Sequence, residues 1–171
     1  EDVCSQISAW KNLGYSVIPV SINISPVQFR DPLFLKETTK LINKSGIDPE
    51  LIEFEITETC LMEDICIAKE ILSGFKNIGV KNSIDDFGTG YSSLIKLIDL
   101  PLDILKIDKS FIDHATVMER ADTIISLIIQ LAKKLNLVTV AEGVENKGQY
   151  EFLKTAGCDM YQGYHFYKPQ S

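Results

Sequence analysis

Apolar residues recur along this chain in two alternating rhythms. One places them three or four positions apart, as on a helix with a single buried face. The other packs them into short runs bounded by turn residues, as in a buried strand. The first rhythm predicts helices over residues 3–13 (Val3, Ile7, Trp10 and Leu13 on one face) and from Asp31-Pro32 to near Gly46. It predicts three more over 64–78 (Ile67, Ile71, Leu72 and Phe75 inward), 92–98, and 116–135 (Ile124, Ile128, Leu131 and Leu135 in register). The last runs from Asn146, which stands at capping-box spacing from Gln149, to Gly157. Gly14, Gly46 and Gly79 serve as stops, and Asp31-Pro32 as a cap with a first-turn proline.

The second rhythm predicts strands over 17–24, 51–56, 80–84, 102–107, 137–141 and 160–166, with His165 in the last of them. Strands alternating with helices mean βα units and a parallel sheet. A doubly wound open sheet and a β/α (TIM-type) barrel both fit. The barrel is favoured because a polar or charged residue closes every strand, as expected when all the C-terminal ends meet at one mouth. A full barrel has eight strands and typically about 250 residues. With 171 residues, the chain is expected to be an incomplete barrel of about six strand-helix units, forming a single domain over 1–171.

Composition narrows the function. A formal net charge of −7 argues against a nucleic-acid polymer as partner, since that needs a basic surface. The longest apolar stretch, Ile124 to Ile129, is too short to span a bilayer, so no membrane contact is expected of this segment. No basic-then-apolar leader opens the chain, and Cys4, Cys60, Cys66 and Cys158 lack metal-ligand spacing. Buried free thiols and a cytoplasmic location are the expectation.

The strand ends collect Asn23, Glu55, Glu58, Asp85, Asp86, Lys106, Glu142, Glu145 and Gln162. Carboxylates and an amide without histidine or thiolate are hard ligands suited to Mg²⁺ or Mn²⁺. Two such ions can activate a water and clamp a phosphate, and adjacent aspartates can supply a shared ligand. For any single residue, a solvated strand end or helix cap is the plainer reading, and Lys106 could be a strand lysine paired with a carboxylate. The set of nine on six consecutive strands favours chemistry.

Ser21-Ile22-Asn23-Ile24-Ser25, Glu55-Ile56-Thr57-Glu58, Asp85-Asp86-Phe87-Gly88-Thr89-Gly90-Tyr91-Ser92-Ser93-Leu94, Lys106-Ile107-Asp108, Ala141-Glu142-Gly143-Val144-Glu145 and Gln162-Gly163-Tyr164 closely resemble the EAL-domain phosphodiesterases. The resemblance implies a β/α barrel that hydrolyses cyclic di-GMP to pGpG with two Mg²⁺ or Mn²⁺ ions. It implies Asn23 and Glu55 as ligands of the first ion, Asp85 as the bridge, and Asp86 and Glu142 as ligands of the second. Lys106 would hold the attacking water, Glu58 would anchor the loop after the aspartates, and Gln162 and Glu145 would support the site or ligand. The alternative is an inactive cyclic di-GMP receptor or regulatory module of the same fold.

The Glu-Ala-Leu tripeptide that names the family is absent from these residues. Its segment, with the first two strands, is expected upstream, and the helix after the last strand is expected to lie outside these residues as well. Open strand edges would then invite homo-oligomers. Cyclase (GGDEF) or sensory domains are the expected companions in the parent protein.

Overall fold

The computed structural model describes residues 1–88 and 97–168. Six strands alternate with helices: β1 Val20–Asn23, β2 Ile52–Thr57, β3 Lys81–Phe87, β4 Ile104–Ile107, β5 Val138–Ala141 and β6 Met160–Tyr161. All pair in parallel and in chain order, so the sheet is a six-stranded arc with β1 and β6 at its edges. Around it run α1 Asp2–Asn12, α2 Pro26–Phe29, α3 Phe34–Ser45, α4 Glu58–Glu63, α5 Ile65–Asn77, α6 Lys109–Ile112, α7 Glu119–Lys134 and α8 Lys147–Ala156.

The helices cover one face of the arc. Successive side chains of a strand point to opposite faces, and Ile52, Phe54 and Ile56 of β2 turn to the helical side, all fully buried. There Phe54, Phe34 and Phe75 form a tilted and edge-on cluster with centroids 4.6 to 6.4 Å apart. On α7 the buried stripe is Ile125, Ile128, Ile129 and Ala132, at helical spacing against β5. Asp64 caps α5 through Cys66 N and Ile67 N, and the Asn146–Gln149 capping box opens α8.

Several expectations shift. The buried stripe of α7 lies one residue beyond Ile124, which is 45% exposed, and Trp10, Leu13 and Ile67 also lie open. β1 starts at Val20 rather than Val17, because Pro19 has no N–H and Ile18 is solvent-facing. β6 ends at Tyr161, and His165 lies in a turn rather than a strand, where its N–H donates to Val144 O. The aromatic alternation at 164–167 reflects packing of His165 and Phe166 on Tyr150, not strand pleating. Cys66 is exposed, whereas Cys4, Cys60 and Cys158 are buried free thiols. Thr89 to Leu94 of the glycine-rich run and most of the helix expected over 92–98 lie outside the described residues.

Candidate functional site

The other face of the arc is polar where the strands end. Register sets Asn23 beside Glu55, Glu55 beside Ser83 and Thr57 beside Asp85, so side chains of β1, β2 and β3 line up across the sheet. Lys106 of β4 reaches into this row. Its Nζ lies 2.7 Å from Glu55 Oε1, 2.7 Å from Glu142 Oε1 and 3.2 Å from Asp85 Oδ1. Glu55 and Lys106 are buried, while Asp85, Asp86 and Glu142 are half-buried.

A break in the ladder brings the second aspartate in. Ile84 pairs with Leu105 and Phe87 with Ile107, so Asp85 and Asp86 together oppose Lys106 alone. In a regular strand neighbouring carboxylates would point to opposite faces. Here the bulge, with Asp86 at φ 54°, lets both serve one side. Asp85, Asp86 and Glu142 each offer a carboxylate oxygen within 4.8 Å of the others.

The charges are unbalanced. Four carboxylates (Glu55, Asp85, Asp86 and Glu142) gather around one ammonium. Burial disfavours the Lys106 ammonium, but hydrogen bonds and attraction from Glu142 and Glu55 outweigh it, so its pKa rises above the ordinary 10.5 and it stays charged. Burial raises Glu142 above its ordinary 4.5 against the pull of Lys106, with Asp85 and Glu55 adding repulsion. Burial likewise raises Asp86, helped by repulsion from Asp85 and Asp108. Among the described residues Asp85 Oδ1 is buried with no hydrogen bond, and its 3.2 Å approach to Lys106 is an ion pair only. An anionic oxygen with an ion pair but no hydrogen bond, inside a hard-oxygen cluster, fits a divalent cation.

Glu58 opens α4 rather than closing β2, and its buried carboxylate accepts from Gly88 N at 2.8 Å. Asn23 ends β1 with its residue exposed. Glu145 and Gln162 line a cavity of about 270 Å³ with Lys109, Gly143, Gly163, Tyr164 and Glu142, the last of which also pairs with Lys106. Glu145 pairs there with Lys109 Nζ at 2.8 Å.

The model of the EAL domain family matches residues 1–169. The chain belongs to the EAL domain family. Signaling protein YkoW of Bacillus subtilis is 40% identical over 169 residues, which are 99% of this chain and 21% of YkoW. The bifunctional diguanylate cyclase/cyclic di-GMP phosphodiesterase MucR of Pseudomonas aeruginosa is 36% identical, over 99% of this chain and 25% of MucR. The chain thus spans about a fifth to a quarter of these relatives' length. The solved PaMucR phosphodiesterase, in complex with c-di-GMP, matches with a TM-score of 0.92 at 36% identity, over 99% of this chain and 68% of that one. At that likeness the six-stranded arc is part of an EAL-type β/α barrel.

Sequence reasoning overlooked Lys109, Phe111 and Gln149, which pack around the motif segments. Phe111 lies against Gly88, and Gln149 accepts from Glu145 N at 2.8 Å. The sequence signal was the capping-box position of Gln149, which was read as local.

Proposed function

We propose that this chain is the metal-dependent part of a phosphodiesterase that hydrolyses cyclic di-GMP to linear pGpG. The observation carrying this is the buried Lys106 ammonium set among Glu55, Asp85 and Glu142, with Asp86 brought alongside by the bulge. Asn23, Glu55 and Asp85 would hold one Mg²⁺ or Mn²⁺, and Asp85, Asp86 and Glu142 a second. When bound, such ions supply the positive charge that activates water and stabilises the departing 3′ oxygen.

The protein's own groups do the rest. Lys106 holds a water through its ammonium and offsets negative charge on the phosphate. Glu58 fixes Gly88 at the start of the loop after the aspartates. Glu145 and Gln162 line the adjoining cavity and orient the dinucleotide. Water adds across one P–O3′ bond, leaving phosphate on the 5′ side and a 3′ hydroxyl. The family motifs within this span are all intact, which favours hydrolysis over a receptor that only binds.

The rest of the polypeptide is proposed to complete the barrel with upstream strands against β1 and a helix after β6. Support comes from Val138 and Met160, 40% and 44% exposed on the inner face, and from a groove of about 680 Å³ beside β1 walled by Trp10, Tyr15 and Ile18. GGDEF or sensory domains are the proposed companions. Among the described residues no helix is long and apolar enough to cross a membrane, and buried free thiols favour a cytoplasmic setting.

The test uses the full-length protein with cyclic di-GMP and Mg²⁺ or Mn²⁺, following pGpG by chromatography. Metal-dependent pGpG, abolished by chelator, is expected. Tight binding without product would select the receptor reading instead.

A further inference from the structure

The short helix α6 touches the segments after both acidic strand ends. Asp108 ends the Lys106 segment and caps α6 by accepting from Ser110 N at 3.0 Å. Phe111 projects back onto Gly88, where its ring edge fills the space that a side chain would need; a Cβ there would lie 2.7 Å from Cε2 and 2.8 Å from Cζ. Gly88 has φ +98° and donates to Glu58, so it is held from two sides.

Lys109 does the same for the next motif. Its aliphatic stem covers Gly143, which follows Glu142 directly and has φ +69°, and its ammonium reaches Glu145. The far end of α6 is tied in as well. Gln149, only 5% exposed, donates from Nε2 to Ile112 O at 2.9 Å while its Oε1 accepts from Glu145 N at 2.8 Å and Asn146 N at 3.2 Å. The capping box accounts for the Asn146 contacts alone. The bonds to Ile112 and Glu145 join α6 to the turn after Glu142.

We propose that α6 is a brace that sets the distance between the Asp85-Asp86 bulge and Glu142, with Phe111, Lys109 and Gln149 as its positioning residues. The inference rests on the reading of Asp85, Asp86 and Glu142 as metal ligands. None of the three belongs to the proposed ligand set; each fixes backbone one to three residues beyond a member of it, Phe111 at Gly88 after Asp86, Lys109 at Gly143 and Gln149 at Glu145 after Glu142. Such outer groups commonly govern affinity for the ion, because carboxylates held too far apart must pay reorganisation on binding.

The readout is Mn²⁺ titration of the nucleotide-free, full-length protein, followed by the electron paramagnetic resonance of free Mn²⁺. Phe111→Ala should weaken binding by about tenfold, within the usual range for such outer groups. Phe111→Leu and Gln149→Met should weaken it by less, with native circular dichroism. Phe75→Leu, an equally aromatic deletion in the helical layer, should lower the melting temperature and leave Mn²⁺ affinity alone. If Phe111→Ala does not fold, Phe111→Leu and Gln149→Met decide. Native-like variants that bind Mn²⁺ as the parent does would overturn the brace, and so would equal weakening by Phe75→Leu. A parent that binds Mn²⁺ without cleaving cyclic di-GMP defeats the phosphodiesterase reading, while the titration still decides the brace. A parent that binds no Mn²⁺ defeats both.

Discussion

Strand β2 shows the two faces of the sheet within six residues. Ile52, Phe54 and Ile56 enter a layer closed by α3 and α5, while Glu53 and Glu55 are buried on the other side. The first set is held by packing that needs nothing further. In the second, Glu55 is held by the opposite charge of Lys106, while burial raises the Glu53 carboxyl pKa against a lowering influence of Ser83. Buried charge is costly unless paired, so the helical face specifies the fold, whereas the inner face, on the proposed function, gains from a cation. That division predicts that substitutions on the two faces respond differently to metal.

The largest effect is expected at Lys106. Lys106→Met should lower turnover on the order of 10²–10³-fold by removing a fixed charge from the reacting phosphate. Without metal it leaves Glu55, Asp85 and Glu142 facing one another, and stability should fall by about 3–5 kcal/mol. Mg²⁺ should recover more of that loss than it adds to the parent, as read from urea unfolding with and without the ion. Equal stability of variant and parent without metal would break the comparison. On the opposite face, Phe75→Ala should cost about 3–5 kcal/mol through lost burial and a cavity between Phe34 and Phe54. Its deficit should be the same with and without Mg²⁺.

The two faces were also unequally legible in the sequence. The alternation of strands and longer helices could be read because each spans enough residues to show its period, and all six strands were found. The helices α2, α4 and α6 were not foreseen, since four to six residues hold at most two turns and show little periodicity. The acidic strand ends were visible as motifs, but their convergence depends on register. The bulge at Asp85-Asp86 belongs to the pairing of β3 with β4 and leaves no local mark beyond the unusual φ of Asp86. Phe111 and Gln149 read as ordinary core and cap residues, because what distinguishes them is the backbone they touch across 23 and 37 positions of sequence.

A smaller effect should separate the cavity from the lysine cluster. At Gly163 an added Cβ would lie 2.2 Å from Val144 O and 2.3 Å from Val144 N, backbone that cannot swing aside. Gly163→Ala should therefore move Gln162 and Tyr164 away from Glu142, costing about 1–3 kcal/mol in crowding. Lys106, Glu55 and Asp85 sit on β2 to β4, away from Gly163, so the substitution should raise KM for cyclic di-GMP more than it lowers kcat. A fall in kcat alone would mean that the cavity wall and the reacting groups are one unit.

The mildest test leaves the sequence untouched and asks whether the helical face is as closed as its packing implies. Cys66 is exposed, whereas Cys4, Cys60 and Cys158 are buried. Burial also pushes the Cys60 and Cys158 thiols up, which lowers the thiolate available to an alkylating reagent at neutral pH. Iodoacetamide should therefore modify Cys66 first in the native protein, and mass spectrometry should find the other three protected until urea unfolds the chain. Metal should not change the rate at Cys66, because that thiol lies on α5, outside the carboxylate cluster. Labelling of Cys158 as fast as Cys66 would show β6 and α8 opening in the native state, and the inner face would then rest on an edge less rigid than its register suggests.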